Sequence, residues 1–91
     1  MIRETIIDIL NDIDDEIVNY DGSNLLDAGV IDSFTIMEIV AEIADRLKIS
    51  INPDDITEAH FKTIDAIVKF VELLAKWRKK NVFENENLQY T

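Results

Sequence analysis

The chain has 91 residues, enough for one domain, and 47% of them are hydrophobic, so a single core can form. Its net charge of −10 disfavours binding to nucleic acid phosphates, and the absence of cysteine excludes disulfides and thiolate sites. No apolar run approaches the length of a membrane span, and the N-terminus lacks the layout of a secretory signal. We therefore expect a cytoplasmic protein that neither binds nucleic acid nor inserts into a membrane.

The first segment predicts a helix over residues 2–18. Its apolar side chains recur at helical spacing, with acidic residues on the other faces. The apolar positions are Ile2, Ile6, Ile9, Leu10, Ile13 and Ile17. Residues 19–24 are a cluster of turn-forming types, and the connection continues as far as residue 32. A loop this long is unusual in a small helical domain, and its apolar residues predict that it packs on the helices.

A second helix is predicted over residues 33–48. Asp32 and Ser33 are both good capping types for its N-terminus. One face of this helix is apolar and the opposite face is acidic. The apolar stripe comprises Phe34, Ile36, Met37, Ile39, Val40, Ile43 and Leu47, and the acidic face carries Glu38, Glu42 and Asp45, with the small Ala41 among them. The pattern predicts a helix that lies on a core and turns its acidic side to solvent.

Two more helices are predicted in the second half of the chain. Asn52 can cap a helix and Pro53 suits the first helical position, so a short helix is predicted over residues 54–60. Apolar residues at helical spacing, followed by a basic end, predict a last helix over residues 64–80.

Together these elements predict an all-α fold. The expected architecture is a four-helix bundle with three main helices, one short third helix and a long loop between helices 1 and 2. The domain is expected to cover residues 1–80. Residues 81–91 are polar and are predicted to form a flexible C-terminal tail.

Constellations typical of enzymes and metal sites are sparse. His60 is the single histidine, so a cluster of histidine ligands is excluded. The carboxylates between Asp12 and Glu16 have the spacing of the first ligands of a calcium loop, but Ile17 stands where such a loop requires glycine. We therefore predict no metal site and no enzymatic activity. A small hydrolase that pairs Ser33 with His60 is a minor alternative, because no third orienting group is evident.

Ser33 has two interpretations from local physics. It can cap the second helix, which is the commonest role of a serine at such a position. It can also be an exposed hydroxyl that is modified, because a helix N-terminus favours a phosphate attached nearby. Local physics alone favours the cap.

Residues 25–39, which read LLDAGVIDSFTIMEI, resemble the attachment motif of acyl and peptidyl carrier proteins. That motif is an Asp-Ser-Leu-like triplet that opens the second helix, with a glycine before it and an apolar-acidic helix after it. The order of helices and the acidic charge match as well. The resemblance implies that Ser33 carries 4'-phosphopantetheine, transferred from coenzyme A by a magnesium-dependent phosphopantetheinyl transferase, and that Asp32 is its neighbour in the motif. Phe34 replaces the usual leucine.

The resemblance also implies a partner-binding face on the second helix. In such carriers, acidic residues of this helix meet basic patches on partners and nearby apolar residues add contact area. The positions that match are Phe34, Met37, Glu38, Ala41, Glu42 and Asp45. A plain solvated helix face explains the three acidic residues equally well.

Gly29 stands four residues before Ser33. The form Gly-Val-Ile-Asp-Ser is more similar to D-alanyl carrier proteins and other stand-alone carriers than to the carriers of fatty-acid synthesis. The resemblance thus implies a monomeric carrier that holds an acyl or aminoacyl group as a thioester. It would present this group to a ligase that activates acyl groups or amino acids, and to an acyltransferase or synthase. The alternative is a non-catalytic helical protein-interaction module, a degenerate carrier without an arm.

Overall fold

The computed structural model describes residues 2–76, and all regular elements in this part of the chain are helical. The elements are α1 (Ile2–Ile13), α2 (Asp15–Asn19), α3 (Ser33–Leu47), α4 (Ile64–Leu74) and two 3₁₀ turns at Pro53–Asp55 and Glu58–Phe61. The expected all-α fold is therefore confirmed. The predicted tail at residues 81–91 and the end of the predicted helix at residues 64–80 lie outside the described residues.

The first predicted helix is divided in two, and the prediction of one continuous helix over residues 2–18 is wrong. Asp14 has extended backbone, with φ −167° and ψ 112°, and its side chain accepts a hydrogen bond from the Glu16 N–H at 3.0 Å. Asp14 thus caps α2. An aspartate competes in this way with the helical hydrogen bonds of its own backbone, and here the competition ends α1 at Ile13.

The short third helix is also replaced, by the two 3₁₀ turns. The first turn begins after Asn52, whose N–H donates to Asp55 Oδ2 at 3.0 Å. Ile56 and Thr57 then have extended backbone, which separates this turn from the second. β-Branched residues favour extended backbone, and two of them in succession interrupt a helix that is only about two turns long.

One hydrophobic core lies at the centre of the helices. Helix α1 packs against α2, α3 and α4, and the second 3₁₀ turn packs against α4. The long loop contributes Leu25 and Ile31, so its predicted packing on the helices is confirmed. The buried residues are Ile6, Ile9, Leu10, Ile17, Leu25, Ile31, Ile36, Ile39, Val40, Ile43, Ile49, Phe61, Ile67, Val68, Phe70, Val71 and Leu74. Full burial of each large apolar side chain stabilises the folded state by about 1.5–3 kcal/mol relative to leaving it exposed.

The helices of residues 2–76 lack the combination of length and apolar character that crossing a bilayer requires.

Candidate functional site

Asp32 caps the N-terminus of α3. Its backbone is extended, and its Oδ1 accepts hydrogen bonds from the Thr35 N–H at 2.9 Å and the Thr35 hydroxyl at 3.0 Å. The bond from the backbone N–H and then that from the hydroxyl lower the pKa of the Asp32 carboxyl below its ordinary value. The cap is therefore present above the ordinary pKa of aspartate and is lost as the pH falls through the lowered pKa.

Ser33 is the first residue of α3 and is exposed. Because Asp32 already caps the helix, the interpretation of Ser33 as the N-cap is wrong. Within residues 2–76 the Ser33 hydroxyl has no hydrogen-bond partner, so it is available to react with a modifying group. His60 does not contact it: the Nδ1 of His60 lies 2.9 Å from the carbonyl oxygen of Asp55.

Gly29 ends one helical turn of the loop that leads to Ser33. Its N–H donates to the carbonyl of Leu26 at 3.1 Å, and the N–H of Val30 donates to the carbonyl of Leu25 at 3.0 Å. These two bonds form a Schellman motif, whose closing residue requires left-handed backbone. Gly29 has φ +76°, and a Cβ there would meet nothing within 4 Å. Backbone conformation, and not crowding, therefore selects glycine.

Side chains and backbone bonds hold the rest of the loop in place. Asn24 Oδ1 accepts from the N–H groups of Leu26 and Asp27, both at 3.0 Å, and Tyr20 Oη donates to the Asn24 carbonyl at 3.3 Å. The N–H of Leu25 donates to the carbonyl of Lys62 at 2.7 Å. The loop is thus held by hydrogen bonds between its own residues and by a bond to the residue after the second 3₁₀ turn. These contacts fix the position at which the chain enters α3 at Ser33.

A shallow cavity of about 200 Å³ opens beside Ser33. We call it the shelf. Helix α3 lines one side of it and the segment between the two 3₁₀ turns lines the other. Its lining residues are Ser33, Ile36, Met37, Ile56, Thr57 and Glu58. A larger groove of about 410 Å³, lined among others by Arg3, Tyr20 and Asp65, does not include Ser33. The shelf is therefore the cavity that a group attached to Ser33 would meet first.

The residues predicted to bind partners lie on α3 beyond Ser33. Phe34 and Met37 are large apolar side chains, yet they are 73% and 54% exposed. Glu38, Ala41 and Asp45 are exposed as well. Together these five residues form what we call the α3 outer face.

Glu42, the sixth predicted residue, differs from the others. It is half-buried, and its Oε1 accepts from Arg46 Nε at 3.1 Å. Arg46 also donates to Asp12 Oδ2 at 2.9 Å, which links α3 to α1. Glu42 therefore has a structural partner of its own.

Sequence reasoning missed the far wall of the shelf. Ile56, Thr57 and Glu58 follow Ser33 by more than twenty residues, and only the tertiary fold brings them together. The β-branched pair at 56 and 57 signals a break in the helix, but nothing in the sequence signals a cavity. Within residues 2–76, no three side chains of the metal-binding types lie close enough together to hold an ion.

Comparison with known proteins decides the family. The family model described as "Phosphopantetheine attachment site" matches residues 2–71. The chain belongs to the phosphopantetheine-binding carrier proteins. It is 33% identical to a D-alanyl carrier protein of Enterococcus faecalis over 75 residues, which cover 80% of this chain and 96% of that protein. It is 30% identical to a D-alanyl carrier protein of Listeria monocytogenes serotype 4a over 74 residues, 79% of this chain and 95% of that one. No significantly similar solved structure was found.

Family membership confirms the predicted carrier function and its covalent 4'-phosphopantetheine, and it does not favour the alternative of an interaction module without an arm. The described residues fit this group. The exposed Ser33 hydroxyl has no partner within residues 2–76, the α3 N-terminus favours a phosphate, and the shelf leaves space beside the serine.

We expect Gly29→Ala to lower the free energy of unfolding by about 1 kcal/mol, because a Cβ is strained in left-handed backbone. Gly29→Asn should be milder, since asparagine tolerates this conformation. Urea denaturation of the two variants and the wild type measures both effects. Gly29→Ala with unchanged stability would contradict the Schellman assignment.

Proposed function

We propose that Ser33 is the residue to which 4'-phosphopantetheine is attached, and that this carrier holds a D-alanyl or similar small aminoacyl group. The observation that carries the proposal is the exposed Ser33 hydroxyl, which directly follows the Asp32 cap and makes no hydrogen bond within residues 2–76. A family member needs one accessible hydroxyl at the start of this helix, and Ser33 has that position.

Attachment is a phosphoryl-type transfer by a separate magnesium-dependent transferase. Ser33 Oγ forms a bond to the phosphorus of coenzyme A that carries pantetheine, and the bond from that phosphorus to the bridging oxygen breaks. The hydroxyl proton goes to a base of the transferase, and adenosine 3',5'-bisphosphate leaves. Ser33 needs no base from its own chain, and Asp32 serves to hold the helix start in place. When attached, the arm supplies a terminal thiol that carries the acyl group as a thioester.

The cargo is proposed from the relatives and from the motif. Both relatives are named D-alanyl carrier proteins. The segment from Gly29 to Ser33 has the spacing expected for stand-alone carriers of this kind. The shelf, at about 200 Å³, is small, which suits a short group better than a long acyl chain.

The α3 outer face is proposed as the surface that partners recognise. It combines exposed apolar side chains, Phe34 and Met37, with the carboxylates of Glu38 and Asp45 and the small Ala41 between them. A few anchor side chains that become buried in the interface dominate its binding energy, and surrounding charges set the association rate. Glu42 contributes charge to this side of α3 while it remains paired with Arg46.

The partners that fit are a phosphopantetheinyl transferase, a ligase that activates an amino acid, and an acyltransferase or synthase that receives the group. Each must bind the carrier and release it, so the interfaces should be small and sensitive to salt. We propose that the carrier acts as a cytoplasmic monomer without catalytic activity of its own, and that residues 1–80 form its functional domain.

Incubation with coenzyme A, magnesium and a broad-specificity transferase should add one phosphopantetheine group to the wild type. The Ser33→Ala protein should gain no phosphopantetheine, because it lacks the accepting hydroxyl. Ser23→Ala is the matched control, since Ser23 is also an exposed serine but lies in the loop. Intact mass spectrometry reads all three, and modification of the Ser33→Ala protein would disprove the assignment.

The modified carrier, given ATP and a ligase that activates D-alanine, should gain the mass of one alanyl group, and hydroxylamine should remove it because the linkage is a thioester. Fatty-acyl groups supplied with their own ligase are the comparison. Efficient loading of those groups, with none of D-alanine, would refute the proposed cargo and leave the attachment site intact.

Glu38→Lys should slow association with the ligase about ten-fold at low salt, because it removes charge complementarity at the α3 outer face. Asp8→Lys makes the same change of net charge at an exposed position of α1 and serves as the control. Stopped-flow association rates at increasing salt measure both variants. Equal effects of the two would show that only net charge matters.

A further inference from the structure

The far wall of the shelf consists of residues 56–58, and the first two of these lie outside any helical turn. Ile56 and Thr57 have extended backbone, with ψ of 96° and 157°, and Glu58 begins the second 3₁₀ turn. An extended segment outside a sheet has no regular hydrogen-bond ladder to hold it. Backbone bonds hold its two ends, since the Ile56 N–H donates to the Pro53 carbonyl and the His60 N–H donates to the Thr57 carbonyl, both at 3.1 Å, and side-chain contacts add to them.

His60 supplies such a contact. Its Nδ1 lies 2.9 Å from the carbonyl oxygen of Asp55 and 3.2 Å from Thr57 Oγ1. A carbonyl oxygen can only accept, so Nδ1 carries a proton and donates it to Asp55. His60 follows residues 56–58 in the chain, and its imidazole bonds to Asp55, which precedes them. The side chain thus connects the two ends of the wall.

The same ring is fixed from behind by α4. It stacks on Phe70 with the ring centroids 4.3 Å apart and an interplanar angle of 11°. Phe70 is 5% exposed, and it also meets the buried Phe61 edge-on at 5.7 Å. The second 3₁₀ turn packs on α4 more extensively than on α3. The His60 end of the wall is thus held from the α4 side, and the shelf lies between the wall and α3.

We propose that His60 is a positioning residue for the attachment site. By donating to Asp55 and stacking on Phe70, it fixes residues 56–58 at the distance from Ser33 that the transferase and the attached arm require. The proposal rests on the proposed function of Ser33. It assigns His60 a role in presenting that serine, through the wall, and no contact with the reacting atoms.

Three substitutions separate the two contacts of the imidazole. His60→Asn places an amide N–H near the position of Nδ1 and keeps the bond to Asp55. His60→Gln carries the same amide one carbon further out, near the position of Nε2, and loses that bond. His60→Phe keeps the stacking on Phe70 without a donor. The Asn and Gln variants therefore carry the same amide group and differ only in side-chain length, by one methylene.

The first readout uses the unmodified protein and needs no transferase. In ¹H–¹⁵N NMR spectra, His60→Gln and His60→Phe should shift and broaden the amide signals of Thr57, Glu58 and Ser33, while signals of α1 stay in place. His60→Asn, which keeps the bond to Asp55 and loses the stacking, should shift the Ser33 signal less than His60→Gln, which loses both contacts. Unchanged wall signals in the Gln and Phe variants would overturn the proposal.

The second readout is the kinetics of modification. His60→Gln should raise the transferase KM for the carrier about five-fold, the factor that corresponds to one net hydrogen bond, with kcat changed less than two-fold. His60→Asn, which keeps the bond to Asp55, should raise KM less than His60→Gln. Equal kinetics for the Asn and Gln variants would show that His60 is only a packing residue. Failure to modify the wild type would refute the role of Ser33, and the NMR comparison would still decide whether His60 holds the wall.

Discussion

The hydrogen bonds of the Asp32 carboxylate at the start of α3 are the interaction on which the site depends. One of them satisfies the N–H of Thr35, which would otherwise have no partner in the helix, and it does so from the residue before the serine. Ser33 is thereby relieved of the role that a serine at a helix start usually has. Its hydroxyl is left exposed at the positive end of a helix dipole, where a phosphodiester is favoured. In the Asp-Ser motif, one residue thus caps the helix, and the other keeps an exposed hydroxyl, to which we propose that the arm is attached.

Two kinds of structure meet at Ser33. On one side is a loop fixed by the Gly29 turn, by Asn24 and by the buried Leu25 and Ile31. On the other side is the short segment 56–58, which is held by backbone bonds at its two ends and by the contacts of His60. A carrier must present its arm in the same position to each partner and still release each partner.

Much of the fold could be predicted from the sequence, because the helices are amphipathic and the core positions follow their period. Helix α3 extends over Ser33–Leu47, within one residue of its predicted end, since the Asp-Ser start and the apolar stripe mark it clearly. The break at Asp14 was not predicted, because the apolar spacing continues through it and only the aspartate signals a cap. The two 3₁₀ turns were not predicted either, since short segments take their conformation from tertiary packing, here that of Phe61 against α4. Ser33 was singled out because its motif is local in the sequence. The opposite wall of the shelf was not, because only tertiary packing brings residues 56–58 close to it.

Asp32 holds the start of α3 and leaves the Ser33 hydroxyl free within residues 2–76. Comparison of the free energies of unfolding of Asp32→Ala and Ser33→Ala in the unmodified protein tests it most directly. Asp32→Ala is expected to destabilise the protein at neutral pH. Ser33→Ala is expected to change its stability by less than about 0.5 kcal/mol, as for other surface side chains without a partner. A clear loss of stability in Ser33→Ala, with Asp32→Ala unchanged, would contradict it, because the serine would then be the cap.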